Sequence, residues 1–199
     1  MSMSSTIRAG LLRSADTAGK LAASEEVVTA LEAVASACIS AYRAGRKLLL
    51  VGNGGSAADC QHIAGELVAR FNFDRPGLAA IALTVDTSVL TAIGNDYGYE
   101  RTFSRQVEAL GAQGDVLLAY STSGSSRNIL AAIEAARGKG MLVVGVTGAR
   151  PSPMEDGRCH YLLRTPSTHT PCIQEGHLVM GHMLCQLVEE GLFAELKPT

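Results

Sequence analysis

Four groups of residues in this sequence combine residue types and spacing that could do chemistry. The first is Gly52-Asn53-Gly54-Gly55-Ser56. Its three glycines let a backbone turn sharply and bring N–H groups close to a ligand. Ser56 is placed to cap a following helix, whose N-terminus attracts anions. The run is not a G-x-G-x-x-G fingerprint and no G-K-[ST] follows, which argues against dinucleotides and nucleoside triphosphates. Taken alone, it is either a ligand loop or a tight turn from strand to helix. The second group is Ser121-Thr122-Ser123-Gly124-Ser125-Ser126, five hydroxyls and a glycine just ahead of a helical pattern. Hydroxyl and backbone N–H donors with a helix dipole behind them make a neutral phosphate cradle. One such loop could simply cap its helix. Two, at the carboxyl ends of two strands in one sheet, favour a ligand.

The third group is His62 and Glu66. Their i, i+4 spacing puts both side chains on one helix face, which suits a shared metal, although a packed histidine is the plainer reading. The fourth is Gln174, Glu175, His177 and His182, all in the last helical pattern. On an ideal helix Gln174 and His182 point about 80° apart, and Glu175 and His182 about 20°. Spacing alone therefore pairs Glu175 with His182 and leaves His177 as structural.

The elements that must position these groups follow from hydrophobic rhythm. Residues from about Ser5 to Ala44 read as one or two helices, with an apolar stripe through Val27, Leu31, Val34, Ala35, Cys38, Ile39 and Tyr42 and a stop at Gly45. Four short continuous apolar runs then read as strands buried on both faces: 47–51, 79–83, 115–120 and 141–146. A weaker fifth run covers 160–163. Helices are expected over about 57–70, 99–110 and 127–138, and a long amphipathic one from Pro171 to Phe193. Such alternation means an α/β fold with a parallel sheet, and ligands in that fold sit outside the carboxyl ends of the strands.

Composition narrows the function classes. The net charge is −2 and no Lys/Arg run stands out, so neither nucleic acid nor an anionic membrane is an expected partner. Five cysteines are scattered without a C-x-x-C pair, which fits a reducing compartment. No signal-peptide layout opens the sequence, and no apolar run approaches the roughly 20 residues that span a bilayer. A cytoplasmic location is expected.

The segment Gly52-Asn53-Gly54-Gly55-Ser56-Ala57-Ala58-Asp59, followed by Gln61-His62 and Glu66, resembles the opening signature of the sedoheptulose 7-phosphate isomerases, or phosphoheptose isomerases. The resemblance continues through Phe73-Asp74-Arg75-Pro76, Leu90 to Tyr97, Ser121-Thr122-Ser123-Gly124 and Ile173-Gln174-Glu175. It runs from about residue 30 to the end, and the ordered combination is specific. It implies a single sugar-isomerase (SIS) domain over 46–199, with a five-stranded parallel sheet flanked by helices. Residues 1–45 would form an N-terminal helical segment packing in the oligomer. Members are homotetramers with active sites at subunit interfaces, acting on a phosphorylated sugar with Zn2+. The zinc ligands implied are His62, Glu66, Gln174 and His182, which sets aside the spacing-based preference for Glu175. The substrate contacts implied are Asn53, Gly54, Gly55, Glu66, Asn95, Asp96, Ser121, Thr122, Ser123, Ser126 and Gln174. Moving a carbonyl between C1 and C2 passes through a cis-enediol, for which Glu66 is the expected base and His182 the expected acid–base group.

The chain departs from some members in one place. Ser167-Thr168-His169-Thr170 holds no carboxylate ahead of the last helix, which bears on substrate positioning. Two other readings remain at this point. One is a non-catalytic SIS protein of the DnaA-initiator-associating type, which does not keep the full metal and acid–base set. The other is a sugar-phosphate sensor, a kind of SIS domain usually joined to another module.

Overall fold

A computed structural model of the chain describes residues 2–197. The N-terminal stretch forms two helices, α1 (Met3–Ala22) and α2 (Glu25–Arg43). The break falls at Ser24, whose side chain accepts from the Val27 N–H and caps α2, with Glu25 and Glu26 favourably placed in its first turn. Gly45, at φ +69°, turns the chain out of α2.

Five parallel strands follow: β1 (Leu48–Val51), β2 (Ala80–Ala82), β3 (Val116–Tyr120), β4 (Leu142–Thr147) and β5 (Tyr161–Arg164). Their order across the sheet is β2-β1-β3-β4-β5. The continuous apolar runs of β1, β3 and β4 have the expected cause, because both faces of the sheet are covered there, whereas the edge strand β2 leaves Ile81 exposed and is not buried on both faces. Leu48 and Leu50 of β1, with Val116, Leu118 and Tyr120 of β3, enter one core with α2, α3 (Gly55–Val68) and α7 (Thr170–Phe193). Leu49 and Val51, with Leu117 and Ala119, enter a second core with α5 (Ser104–Leu110) and α6 (Arg127–Gly138).

The strand order creates a crevice. From β1 the chain crosses to β2 on one side and then to β3 on the other, so the loops after β1 and β3 diverge where the order reverses. Ligands of open α/β sheets gather at such a point.

One region differs from the sequence expectation. The segment expected as a helix over 99–110 is a 3₁₀ turn at Tyr99–Arg101 followed by the short α5. Ahead of it lies an unforeseen helix, α4 (Thr87–Tyr97), capped by the Asp86 carboxylate. Gly98, at φ +83°, separates the two. Helix α4 buries none of its residues fully in the single chain, and its core-facing side is a short one, Val89, Leu90 and Ile93, with only Leu90 packed on the second core.

His177 projects from α7 into the first core. It is 0% exposed, lies edge-on to the Tyr120 ring at 5.8 Å, and neither ring nitrogen has a hydrogen-bond partner among the described residues. Burial pushes its pKa down to about 4, the nearby Thr147 backbone opposing this in part. In the unfolded chain the imidazole titrates near its ordinary value of 6.5, so between those two values the unfolded state binds more protons. Stability therefore falls as pH drops from about 6.5 toward 4, by about 2 kcal/mol between pH 7 and pH 5. Urea unfolding of wild type at both pH values should show that loss. His177→Leu should remove most of it.

Candidate active site

Helix α3 starts from the first glycine loop and runs beside α7 in the same direction. Their approach is close, since a β-carbon at Gly181 would meet the Ile63 side chain at 2.6 Å. This contact brings His62 of α3 against His182 of α7, with their Nε2 atoms 2.8 Å apart and ring centroids 5.0 Å apart. Glu66, one turn beyond His62, places a carboxylate oxygen 3.4 Å from the His62 Nε2. Ligand atoms of His62, Glu66 and His182 all lie within 4.8 Å of one another. Two imidazole nitrogens and a carboxylate oxygen converging on one point form a donor set that suits a zinc-like cation.

The first loop leads into α3 two turns ahead of His62, and the second follows β3, the strand next to β1. Gly52 allows the first to turn tightly, because a β-carbon there would come within 2.5 Å of the Ser56 carbonyl oxygen. Gly54, at φ +55°, is the N-cap, and Ser56 lies buried in the first turn of α3, so the capping role expected for Ser56 does not occur. The third glycine had shortened the turn and started the helix earlier. In the second loop Ser121 Oγ lies 3.1 Å from Ser126 Oγ and 3.5 Å from Ser123 Oγ, and Ser123 Oγ accepts from the Ser125 N–H at 3.3 Å. Gly124 takes φ +64°, which folds the loop back over the start of α6. The hydroxyls thus cluster at the N-terminus of a 12-residue helix, a setting that favours a phosphate.

Asn53 links the loops. Its carboxamide exchanges two hydrogen bonds with that of Asn128, at 2.9 and 2.8 Å, and its oxygen also accepts from the Tyr99 hydroxyl at 2.8 Å. The N-terminal end of α7 closes the other side. A β-carbon at Gly148 would collide with Ile173 and with the carbonyls of Thr122 and Ser167.

Comparison with known proteins bears on what this geometry is for. The SIS domain family profile matches residues 17–148. A phosphoheptose isomerase from Burkholderia pseudomallei is 61% identical over 173 residues, 87% of each chain. One from Aneurinibacillus thermoaerophilus is 52% identical over 191 residues, 96% of each chain. The structure of a phosphoheptose isomerase from Francisella tularensis matches with a TM-score of 0.90 at 35% identity, covering 96% of this chain and 100% of that one.

The chain belongs to the phosphoheptose isomerase family.

Of the residues that the phosphoheptose isomerase resemblance singles out, the fold gathers His62, Glu66 and His182 into one cluster and Ser121, Ser123 and Ser126 into another. Thr122 lies between the serines, and its carbonyl packs at Gly148. Glu175 is exposed, stands outside the donor cluster, and shares a hollow with Ser14 and Thr17 of α1. The spacing-based pairing with His182 fails because angle ignores rise: seven residues separate the two by about 10 Å along the axis. Gln174 rests its carboxamide directly on Gly55. Asn95 and Asp96 are exposed on the last turn of α4 and bond to each other at 2.8 Å. From that region it is Tyr99 that reaches the first loop.

Four residues of this phosphoheptose isomerase site had no role in the sequence reading. Asn128 and Tyr99 fix Asn53. Asp59, one turn before His62, has a buried Oδ2 without a partner among the described residues, and burial raises its pKa against the pull of the His62 imidazole. Arg75 stood in a quoted motif, but only its bonds, described below, give it a task. No spacing rule connects residues so far apart in the chain.

The Gly55–Gln174 contact gives a direct test. Alanine at 55 suits the helical backbone but must displace the Gln174 carboxamide. Gly55→Ala should keep its melting temperature and lose about 10²-fold in kcat/KM, as a displacement near 1 Å can cost. Steady-state kinetics with thermal melting checks both halves.

Proposed function

We propose that this chain is a cytoplasmic aldose–ketose isomerase interconverting sedoheptulose 7-phosphate and D-glycero-D-manno-heptose 7-phosphate through a cis-enediol. The observation that carries the proposal is the convergence of His62, Glu66 and His182 in a chain whose sheet holds a hydroxyl-rich loop at its switch point. The chain thus supplies both a proton donor and acceptor set and a phosphate cradle. The family assignment supports the same reaction class.

In this reading Asn53, the Gly54-Gly55 backbone and the Ser121, Thr122, Ser123 and Ser126 loop hold the sugar phosphate. Binding energy far from the reacting carbons fixes their position. The Glu66 carboxylate takes the proton from the carbon beside the carbonyl and returns it to the neighbouring one. His182 exchanges the proton between the two oxygens. Zn2+ bound by His62, Glu66 and His182 would supply Lewis-acid polarisation of the substrate carbonyl. Gln174, eight residues and about 12 Å along α7 from His182 and resting on Gly55, would join those ligands only at an interface with another subunit. Asn95 and Asp96 on the exposed α4 complete the sugar contacts.

The same reading includes a homo-oligomer, with a tetramer expected. In the single chain the His62 side chain is 45% exposed, more open than an enediol can tolerate without water reaching it. Ile7, Leu11 and Leu12 of α1 are exposed apolar residues, and α4 has no fully buried residue, so helix faces are available for a second subunit to cover. The exposed side of α1 would then serve assembly, while α2, buried in the first core through Val34 and Cys38, belongs to the fold that carries the chemistry.

Incubation with sedoheptulose 7-phosphate, with and without a chelator and followed by NMR, tests the proposal. Chelator-sensitive appearance of the aldose phosphate, from a protein that sizes as an oligomer, is the expected result. Absence of conversion by a metal-loaded, intact oligomer would overturn it.

A further inference from the structure

Arg75 lies in the turn after α3 and Glu189 near the end of α7, and both side chains are 0% exposed. The carboxylate is saturated: Glu189 Oε1 accepts from the Phe71 N–H at 2.8 Å and from Arg75 Nε at 3.1 Å, and Oε2 accepts from the Asn72 N–H at 2.7 Å. The guanidinium is spent on carbonyls. Arg75 Nη2 donates to the Glu66 carbonyl at 2.9 Å, and Nη1 donates to those of Leu67 at 2.6 Å and Pro76 at 3.1 Å. It therefore caps the last turn of α3, whose carbonyls have no partners within the helix, and fastens that turn to α7.

Where these bonds end is informative. One ends on the backbone of Glu66 itself. Another holds the backbone of Phe71, whose ring lies against His182 with centroids 5.6 Å apart. The carboxylate belongs to α7, the helix that carries His182 two turns earlier. A buried pair is a poor means of stabilising a fold, because desolvation offsets most of the attraction. What such a pair does supply is fixed direction, through many short bonds in one rigid arrangement.

We propose that Arg75 and Glu189 are positioning residues: they lock the end of α3 to α7 so that Glu66 and His182 hold their places at the donor cluster. The proposal rests on the reading of that cluster as a metal and acid–base centre. Neither residue reaches substrate. Loss of the lock changes how tightly a metal is held and how fast the bound substrate turns over, and leaves the serine-loop contacts alone.

The test compares Glu189→Gln and Arg75→Lys with Asp115→Asn. Asp115 is also buried and paired, to Lys47 at 2.6 Å, but stands at the opposite end of β3 from the serine loop. Each full-length protein is loaded with Co2+ as a spectroscopic probe, and its affinity, visible absorption, kcat and KM are measured. Glu189→Gln and Arg75→Lys should bind Co2+ about 10- to 100-fold more weakly than wild type, as loss of an outer support does at metal sites. Their absorption bands should change and kcat should fall with little change in KM. Asp115→Asn should melt earlier with wild-type Co2+ binding and kcat. Folded Glu189→Gln and Arg75→Lys with wild-type affinity, spectrum and kcat would reduce the pair to a structural one and overturn the proposal. If Glu189→Gln does not fold, Arg75→Lys decides alone. A wild-type chain that binds Co2+ without isomerising would overturn the proposed reaction, and the metal comparison would still judge the lock. A wild-type chain that binds no Co2+ would overturn both.

Discussion

Glu66→Gln should lose isomerase activity by about 10²- to 10⁴-fold, the range that a positioned general base contributes. The substitution keeps the shape of the side chain and one acceptor oxygen, so it tests the proton-carrying role more sharply than alanine would. Glu66 is half-buried on α3 and, among the described residues, its carboxylate makes no side-chain contact beyond its 3.4 Å approach to His62, so the fold does not depend on its charge. The melting temperature and oligomer size should match wild type. Exchange of the substrate's C1 and C2 protons with solvent, followed by NMR, should stop together with product formation. Retention of more than a tenth of wild-type kcat would remove Glu66 from the base role and send the search to Asp59, the nearest other carboxylate on the same helix.

Glu189→Ala should be the most destabilising single change outside the apolar core, by about 3–5 kcal/mol. The cost arises from what remains. The Arg75 guanidinium would stay buried without its counter-charge, and the N–H groups of Phe71 and Asn72 would lose their acceptors. For a chain of this length the loss corresponds to a fall in melting temperature of about 6–20 °C. Lys47–Asp115 gives a scale for comparison, because its lysine is 27% exposed and water can solvate the charge left behind. Asp115→Ala should accordingly cost less than Glu189→Ala. Calorimetry of the two variants checks the order, and a reversed order would show that water reaches Arg75.

The architecture was legible because covering both faces of a parallel sheet demands continuous apolar runs, which holds for the central strands; each of the five runs is a strand, with the edge strands β2 and β5 less buried. Helices with a buried face were legible for a similar reason. Helix α4 was not, because its residues are all at least partly exposed in the single chain and its core-facing side is limited to Val89, Leu90 and Ile93. At the site, residues close in sequence were readable: the two loops, and His62 with Glu66. Pairings across the fold were not, because periodicity speaks of angle on one helix and not of what the next helix brings. Glu175 shows the limit, since its angle is right and its height is wrong. Arg75 with Glu189 and Asn53 with Asn128 lie 114 and 75 residues apart, beyond any local signal.

The pairing of α3 with α7 also sets the order in which the molecule can become competent. His62 and His182 are 120 residues apart, so half of the donor cluster leaves the ribosome long before the other half exists. Helices α1, α2 and α3 all pack on α7, which means that three early helices wait for the last one. Contacts of such long range close slowly and leave apolar surface open in the meantime. A nascent chain ending before residue 170 would expose Ile63, Val34 and Cys38, all fully covered in the finished fold. Chaperone dependence during synthesis, and intolerance of C-terminal truncation into α7, follow from where one helix sits.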